Sequence, residues 1–221
     1  MPDLGERLAA VTSAITDAAR GAGRDPGEIT TIVVTKFHPA ELVTQLYELG
    51  VRDFGESRHQ EAQPKIESLA DLEATWHFVG QVQSKKARQV RTYVDVVHSV
   101  DRDSLVDGLA GEPLDVFLQV NLTDDPQRGG AHPRDIPALA DRVDAAIGLR
   151  LLGLMAVAPL DADPAREFGR VRELSERLRL DHPEAGSLSI GMSGDFVEAI
   201  ENGATHLRIG TAITGNRPPH G

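Results

Sequence analysis

Cysteine is missing from the sequence altogether. Its absence excludes disulfide bonds, thiolate nucleophiles and cysteine-ligated zinc. An excess of positive charge is missing too. The formal net charge is −11 and the pI is near 5.1, whereas a nucleic-acid surface needs a basic footprint. The acidic residues are scattered rather than run together, as on solvated helix faces. The longest apolar run, LLGLMAVAPL from Leu151 to Leu160, falls well short of the ~20 residues that cross a bilayer. The opening MPDLGERLAA lacks the basic and then apolar order of a signal peptide. Metal-binding spacing is also absent, because the eight histidines form neither HxH nor HExxH. A soluble chain with a cytoplasmic address is the expectation.

What is present is one rhythm of short apolar runs alternating with helical patterns. Strands are predicted at TIVVTK, VRDFG, TWHFVG, VDVVHS, DVFLQVN, LRLLGLMA, SLSIGM and THLRIG. An amphipathic helix precedes them, with Leu4, Leu8, Val11 and Ile15 on one stripe and Gly21–Gly23 as its stop. In DADPAREFGRVRELSERLRL, Pro164 suits the first helical position after Asp163. In DFVEAIENG, Asp195 and Glu198 predict a capping box, with Gly203 as the stop. LTDDPQRGGAHPRD, Leu122 to Asp135, is the one long polar loop, expected either to be mobile or to close over a site. Eight strand–helix units in 221 residues predict a single (β/α)8 barrel domain over residues 1–221 with an extra N-terminal helix. An open doubly wound sheet is the alternative, but VVTKFHP has no glycine-rich turn after the first strand.

In such barrels the chemistry stands at the C-terminal ends of the strands. There the sequence places Lys36, Glu56, Gln83, Ser99, Asn121, Met155, Ser193 and the turn from Arg208 to Thr211. Lys36 ends TTIVVTKFHP, an apolar strand that stops abruptly in an ammonium. GMSGD follows the seventh strand and RIGTAITG the eighth, the two loops where this fold binds phosphate. Gly191, Gly194 and Gly210 would let the backbone approach a ligand, and Ser193 and Thr211 add hydroxyls. A phosphate pocket facing a lysine points to a phosphorylated carbonyl compound, with partial burial expected to favour the neutral amine. Both a phosphosugar and pyridoxal 5'-phosphate (PLP) meet that description. Arg208 favours PLP: a permanently charged guanidinium beside the ring nitrogen would hold that nitrogen unprotonated and weaken the ring as an electron sink.

VVTKFHP, VRDFGESRHQEA, WHFVGQVQSKKAR, VHSVDR, LLGLMAV, LSIGMSGDFVEAIENG and HLRIGTAITG occur in order along nearly the whole chain. Together they resemble the pyridoxal phosphate homeostasis protein family. The resemblance implies a barrel related to the N-terminal half of alanine racemase, the fold-type III arrangement for PLP. It makes Lys36 the Schiff-base lysine, Ser193, Gly210 and Thr211 the phosphate cradle, and Arg208 the partner of the pyridine nitrogen. Ser57, where many members carry Asn, and Met155 complete the expected cofactor contacts. His38 stands where many members carry a second lysine, and Lys85 where Asn is frequent. The family binds PLP and influences vitamin B6 balance without a firmly assigned catalytic activity. A monomer that passes PLP to apo enzymes is the corresponding expectation.

Two enzymatic readings compete. A lysine-dependent aldolase finds no second lysine near the middle of the barrel wall. An amino-acid racemase needs acid–base groups on both faces of the α-carbon. Racemases resembling this barrel bring a tyrosine from an extra C-terminal domain, and Tyr47 and Tyr93 are poorly placed to replace it. His77, His98 and Trp76 read as barrel-wall or packing residues, and GMSGD is not a GxSxG nucleophile elbow.

Overall fold

A computed structural model describes residues 2–123, 125 and 128–216. Helix α1 (Leu4–Gly21) opens the chain with a reciprocal cap: Glu6 N donates to Asp3 Oδ1 at 2.8 Å, and Asp3 N donates to Glu6 Oε2 at 2.9 Å. The stripe predicted from the sequence is the face it packs. Ile15 is buried, and Leu4, Leu8 and Val11 lie partly buried against the core. The helix stops where Gly23 turns to a φ of +70°.

Eight parallel strands follow: β1 (Thr30–Val34), β2 (Asp53–Glu56), β3 (Thr75–Phe78), β4 (Val96–Val100), β5 (Leu114–Gln119), β6 (Leu149–Met155), β7 (Ser187–Ser189) and β8 (His206–Ile209). They pair in sequence order, and β8 closes on β1, with Val33 opposite Ile209. Helices α2 (Ala40–Glu48), α3 (His59–Glu67), α4 (Ala87–Val90), α5 (Asp103–Leu109), α6 (Ile136–Asp144), α7 (Pro164–Leu178) and α8 (Phe196–Glu201) lie between strands, and α9 (Thr211–Thr214) follows β8. All eight predicted strands are present, and the closed barrel replaces the open-sheet alternative.

Strand alternation sends Val33, Phe54 and Phe78 outward into one large apolar shell under the helices. Inside the barrel the only apolar cluster among the described residues is Val96, Phe117 and Met155, with Leu152 partly buried beside it. Besides Ile32 and Val34, which lie outside the shell, the interior holds polar and cationic side chains, among them His77, His98, Ser189 and Arg208, all buried. Stability therefore comes mainly from the outer shell, which leaves the inside free for polar placement.

One local expectation is corrected. Asp195 does not form a capping box with Glu198: its backbone (φ −145°, ψ 18°) lacks the extended cap geometry, and its carboxylate turns back to accept from Met192 N at 2.6 Å. The polar loop from Leu122 to Asp135 is pinned at its base, with Asn121 N donating to Ala131 O and Ala131 N to Gln119 O. Residues 124, 126 and 127 of that loop lie outside the described residues.

Candidate cofactor site

Strands β7, β8 and β1 are consecutive around the barrel, so the turns leaving them share one corner of the C-terminal mouth. Lys36 leaves β1 there. Its strand parity follows Ile32 and Val34, whose side chains stand opposite the missing Cβ of Gly55 and outside the outer shell. Lys36 is exposed, which corrects the expected partial burial. It stands two residues past the last strand residue, with Nζ 5.9 Å from the centroid of the Phe37 ring. Phe37 itself has a φ of +69°, the only positive φ among the described non-glycine residues. A bulky side chain in that region stores strain.

Gly210 and Thr211 follow β8, the strand paired with β1. A Cβ on Gly210 would meet nothing nearer than Val34, at 3.8 Å. Thr211 is exposed and opens α9, whose first-turn N–H groups point toward the mouth. Ser193 is half-buried in the turn after β7, and Gly194 is exposed with open space where a Cβ would be. Gly191 has a different task from the one its spacing predicts. Its φ is +91°, and a Cβ would lie 2.5 Å from Ala199 Cβ. It seats the strand end against α8 and does not line the mouth. Asp195 is the acid of this turn, and burial holds its carboxyl above the ordinary range.

Arg208 points inward from β8 and is 4% exposed. NH1 donates to Ser189 O at 2.6 Å and to Ser189 Oγ at 2.7 Å, and NH2 donates to Ala156 O at 2.9 Å. Burial lowers it to about 10, against an opposing pull from Asp195, so it is charged at neutral pH. Its bonds go to the ends of β6 and β7, which fixes the planar fork below the mouth.

The remaining predicted contacts sit farther round the barrel. Met155 is buried in the inner cluster with Phe117 and also borders a cavity of about 270 Å³ lined by Gln81, Gln119, Asn121 and Arg128. Ser57 is half-buried and lines a smaller cavity of about 170 Å³ with Arg58, His59 and Lys86. Glu56 faces away from the mouth. It meets a group that the sequence reading missed, Lys65 on α3. Lys65 Nζ lies 2.6 Å from Glu56 Oε1 and donates to Thr35 O at 2.9 Å, with side-chain exposures of 7% and 0% for the pair. Thr35 Oγ1 also donates to Glu56 Oε1, at 2.7 Å. The signal was there in part: Lys65 shares its helix face with buried Ala62 and Ile66. Among the described residues no group of acids and histidines has metal-site geometry, and no helix is long and apolar enough to cross a membrane.

A closed parallel barrel with a lysine after its first strand and an arginine on its last defines a class. The alanine racemase N-terminal domain matches residues 9–218. Alanine racemase from Corynebacterium glutamicum shares the barrel itself, with a TM-score of 0.71 at 16% identity over 97% of this chain and 63% of that one. Within the class the assignment is narrower. The pyridoxal phosphate homeostasis protein of Pseudomonas aeruginosa is 42% identical over 98% of this chain and 97% of its own length. That of Escherichia coli K12 is 36% identical over 98% of both. PipY of Synechococcus elongatus, in a structure with PLP bound, superposes with a TM-score of 0.82 at 34% identity, covering 96% of this chain and all of that one. The chain belongs to the pyridoxal phosphate homeostasis protein family.

Proposed function

We propose that the protein binds PLP through Lys36 and serves intracellular PLP homeostasis, without strong catalytic activity of its own. The observation that supports this reading is that the turns carrying Ser193, Gly210–Thr211 and Lys36 leave the consecutive strands β7, β8 and β1, with Arg208 held by Ser189 at the end of β7. The residues present fit the ligand. The open space at Gly194 and Gly210 leaves room for a phosphate against main-chain donors, and the Ser193 and Thr211 hydroxyls and the first N–H groups of α9 supply hydrogen bonds. When bound, PLP supplies an aldehyde that condenses with a primary amine.

Each residue then has a task. Lys36, exposed and free to swing, offers that amine. Arg208 is a cation with its carbonyl partners already in place, and it favours an unprotonated ring nitrogen. Met155 and Ser57 flank the mouth on its other sides. Residues 1–221 act as one PLP-binding domain, a cytoplasmic monomer that yields PLP to apo enzymes. The racemase alternative is disfavoured by its tyrosines. The Tyr47 ring lies 3.8 Å from the Arg52 guanidinium carbon, and the Tyr93 hydroxyl bonds His59 Nδ1 at 3.0 Å.

Borohydride treatment of the PLP-loaded protein followed by peptide mapping tests the reading. The pyridoxyl group is expected on Lys36; labelling of Lys65, Lys85 or Lys86 instead, or no label, would overturn it.

A further inference from the structure

The barrel interior contains a row of polar side chains that binding of a phosphate and an aldehyde does not use. Ser189 Oγ, which accepts from Arg208, lies 2.8 Å from His98 Nδ1. His98 Nε2 lies 3.0 Å from His77 Nδ1, and His77 Nε2 lies 3.0 Å from Asp53 Oδ1. Ser189, His98 and His77 are buried, whereas the Asp53 side chain is 29% exposed at the start of β2. The row therefore runs from Arg208, below one mouth, to a carboxylate at the strand-start end.

Donor counting gives this row a direction. A guanidinium only donates and an ionised carboxylate only accepts. Asp53 only accepts, so His77 carries its proton on Nε2 and, as a neutral ring, accepts at Nδ1. His98 must then donate from Nε2 and, as a neutral ring, accept at Nδ1. Ser189, whose lone pairs leave it free to accept from Arg208, gives its proton to His98 Nδ1. Every hydrogen is used once, and no lone pair faces another.

We propose that Asp53, His77, His98 and Ser189 form a one-way hydrogen-bond chain that positions the Arg208 guanidinium and fixes both histidines as Nε2–H tautomers. The chain gives a buried arginine a remote counter-charge without burying the carboxylate beside it. It also opposes protonation of His98. An imidazolium there would donate from Nδ1 as well as from Nε2. Ser189 would then receive two donors and have no acceptor in the row for its own proton. Burial pushes His98 well below the ordinary histidine range, with His77, Arg208 and His206 adding to the effect. His206, whose ring centroid lies 6.4 Å from those of both other histidines, is pushed down to about 4, chiefly by burial. The charged groups facing the row are Asp53 at one end and Arg208 at the other, with Asp195 acting on Arg208. His77 and His98 are thus positioning residues for the arginine. The step from Arg208 to a bound ring rests on the proposed function.

Nitrogen-15 NMR of the histidine rings in the PLP-free protein tests the chain directly. His77 and His98 should both show the Nε2–H pattern at pH 8, and His98 should keep it down to pH 6. Asp53→Ala should shift the ring nitrogens of His98, which Asp53 does not touch, and Asp53→Glu should restore them. An Nδ1–H tautomer at His98, or His98 resonances unmoved by Asp53→Ala, would overturn the chain. Asp53→Leu, which removes the acceptor but keeps the side-chain bulk, serves if the alanine variant does not fold. In PLP-loaded protein the same substitutions should move the pH midpoint of the visible band. A band unchanged in position and midpoint would overturn the positioning role even with the tautomers confirmed. Failure to load PLP would count against the proposed function and leave the NMR result to decide the chain.

Discussion

Replacing Lys65 with methionine should cost far more than removing a surface lysine. Lys65 and Glu56 are almost wholly buried and 2.6 Å apart, and Glu56 Oε2 has no hydrogen-bond partner among the described residues. Removing the cation leaves a carboxylate in an apolar layer with only the Thr35 hydroxyl beside it. Breaking a buried pair from one side costs roughly 3–5 kcal/mol, against about 0–1 kcal/mol for an exposed pair. Burial already holds Glu56 above the ordinary carboxylate range, and Lys65 is the main influence opposing it. Without Lys65 the folded-state value rises further. The folded protein then holds a proton that the unfolded chain has released, so the variant loses stability as pH rises from about 4 through the folded-state value. Urea unfolding of Lys65→Met should therefore show a larger deficit at pH 8 than at pH 5. The double variant Lys65→Met/Glu56→Gln, which has no charge to strand, should recover much of the loss. A deficit under 1 kcal/mol, or one unaffected by both pH and the second substitution, would refute the reasoning.

Thr211→Ala removes one hydroxyl from the proposed phosphate turn. A charge-assisted hydrogen bond contributes roughly 1.5–3 kcal/mol, so PLP affinity measured by equilibrium titration should fall about tenfold or more. Pyridoxal, which lacks the phosphate, should bind wild type poorly, and equal affinities for the two compounds would count against the site. A chiral assay with L-alanine should give at most trace D-alanine, because Tyr47 and Tyr93 are occupied by Arg52 and His59. Lysine-dependent turnover of roughly 1 per second or faster would restore the racemase.

The strands were legible because each is a short apolar run bounded by turn residues, and the position of Lys36 followed from the end of one such run. The Asp195–Glu198 box was misread because spacing alone does not report a backbone turned to ψ 18°. Gly191 was misread for a related reason: a glycine required by contact with Ala199 and one required by a ligand look alike in one dimension. Lys65 and the histidine row were missed because their partners come from other elements. Lys65 and Glu56 are nine residues apart, but His98 and Ser189 are ninety-one apart. Only barrel closure brings such pairs together.

That closure also explains how a charged axis is tolerated inside the protein. A buried guanidinium is costly to desolvate, and an interior filled with apolar layers would leave it with few partners. Here the interior instead provides two backbone carbonyls and a hydroxyl to Arg208, while the apolar burial that stabilises the fold lies in the shell between strands and helices. Separating the two lets the inner face be chosen for its polar groups without dismantling the core. The same separation sets what mutations reveal. Substitutions at Phe54 or Leu46, fully buried in the shell, act on stability through lost contacts and cavities. Substitutions along Asp53, His77, His98 and Ser189 act on the orientation and charge of one arginine. A barrel whose inner row were only packing would respond to both sets alike, and unequal responses are what this architecture requires.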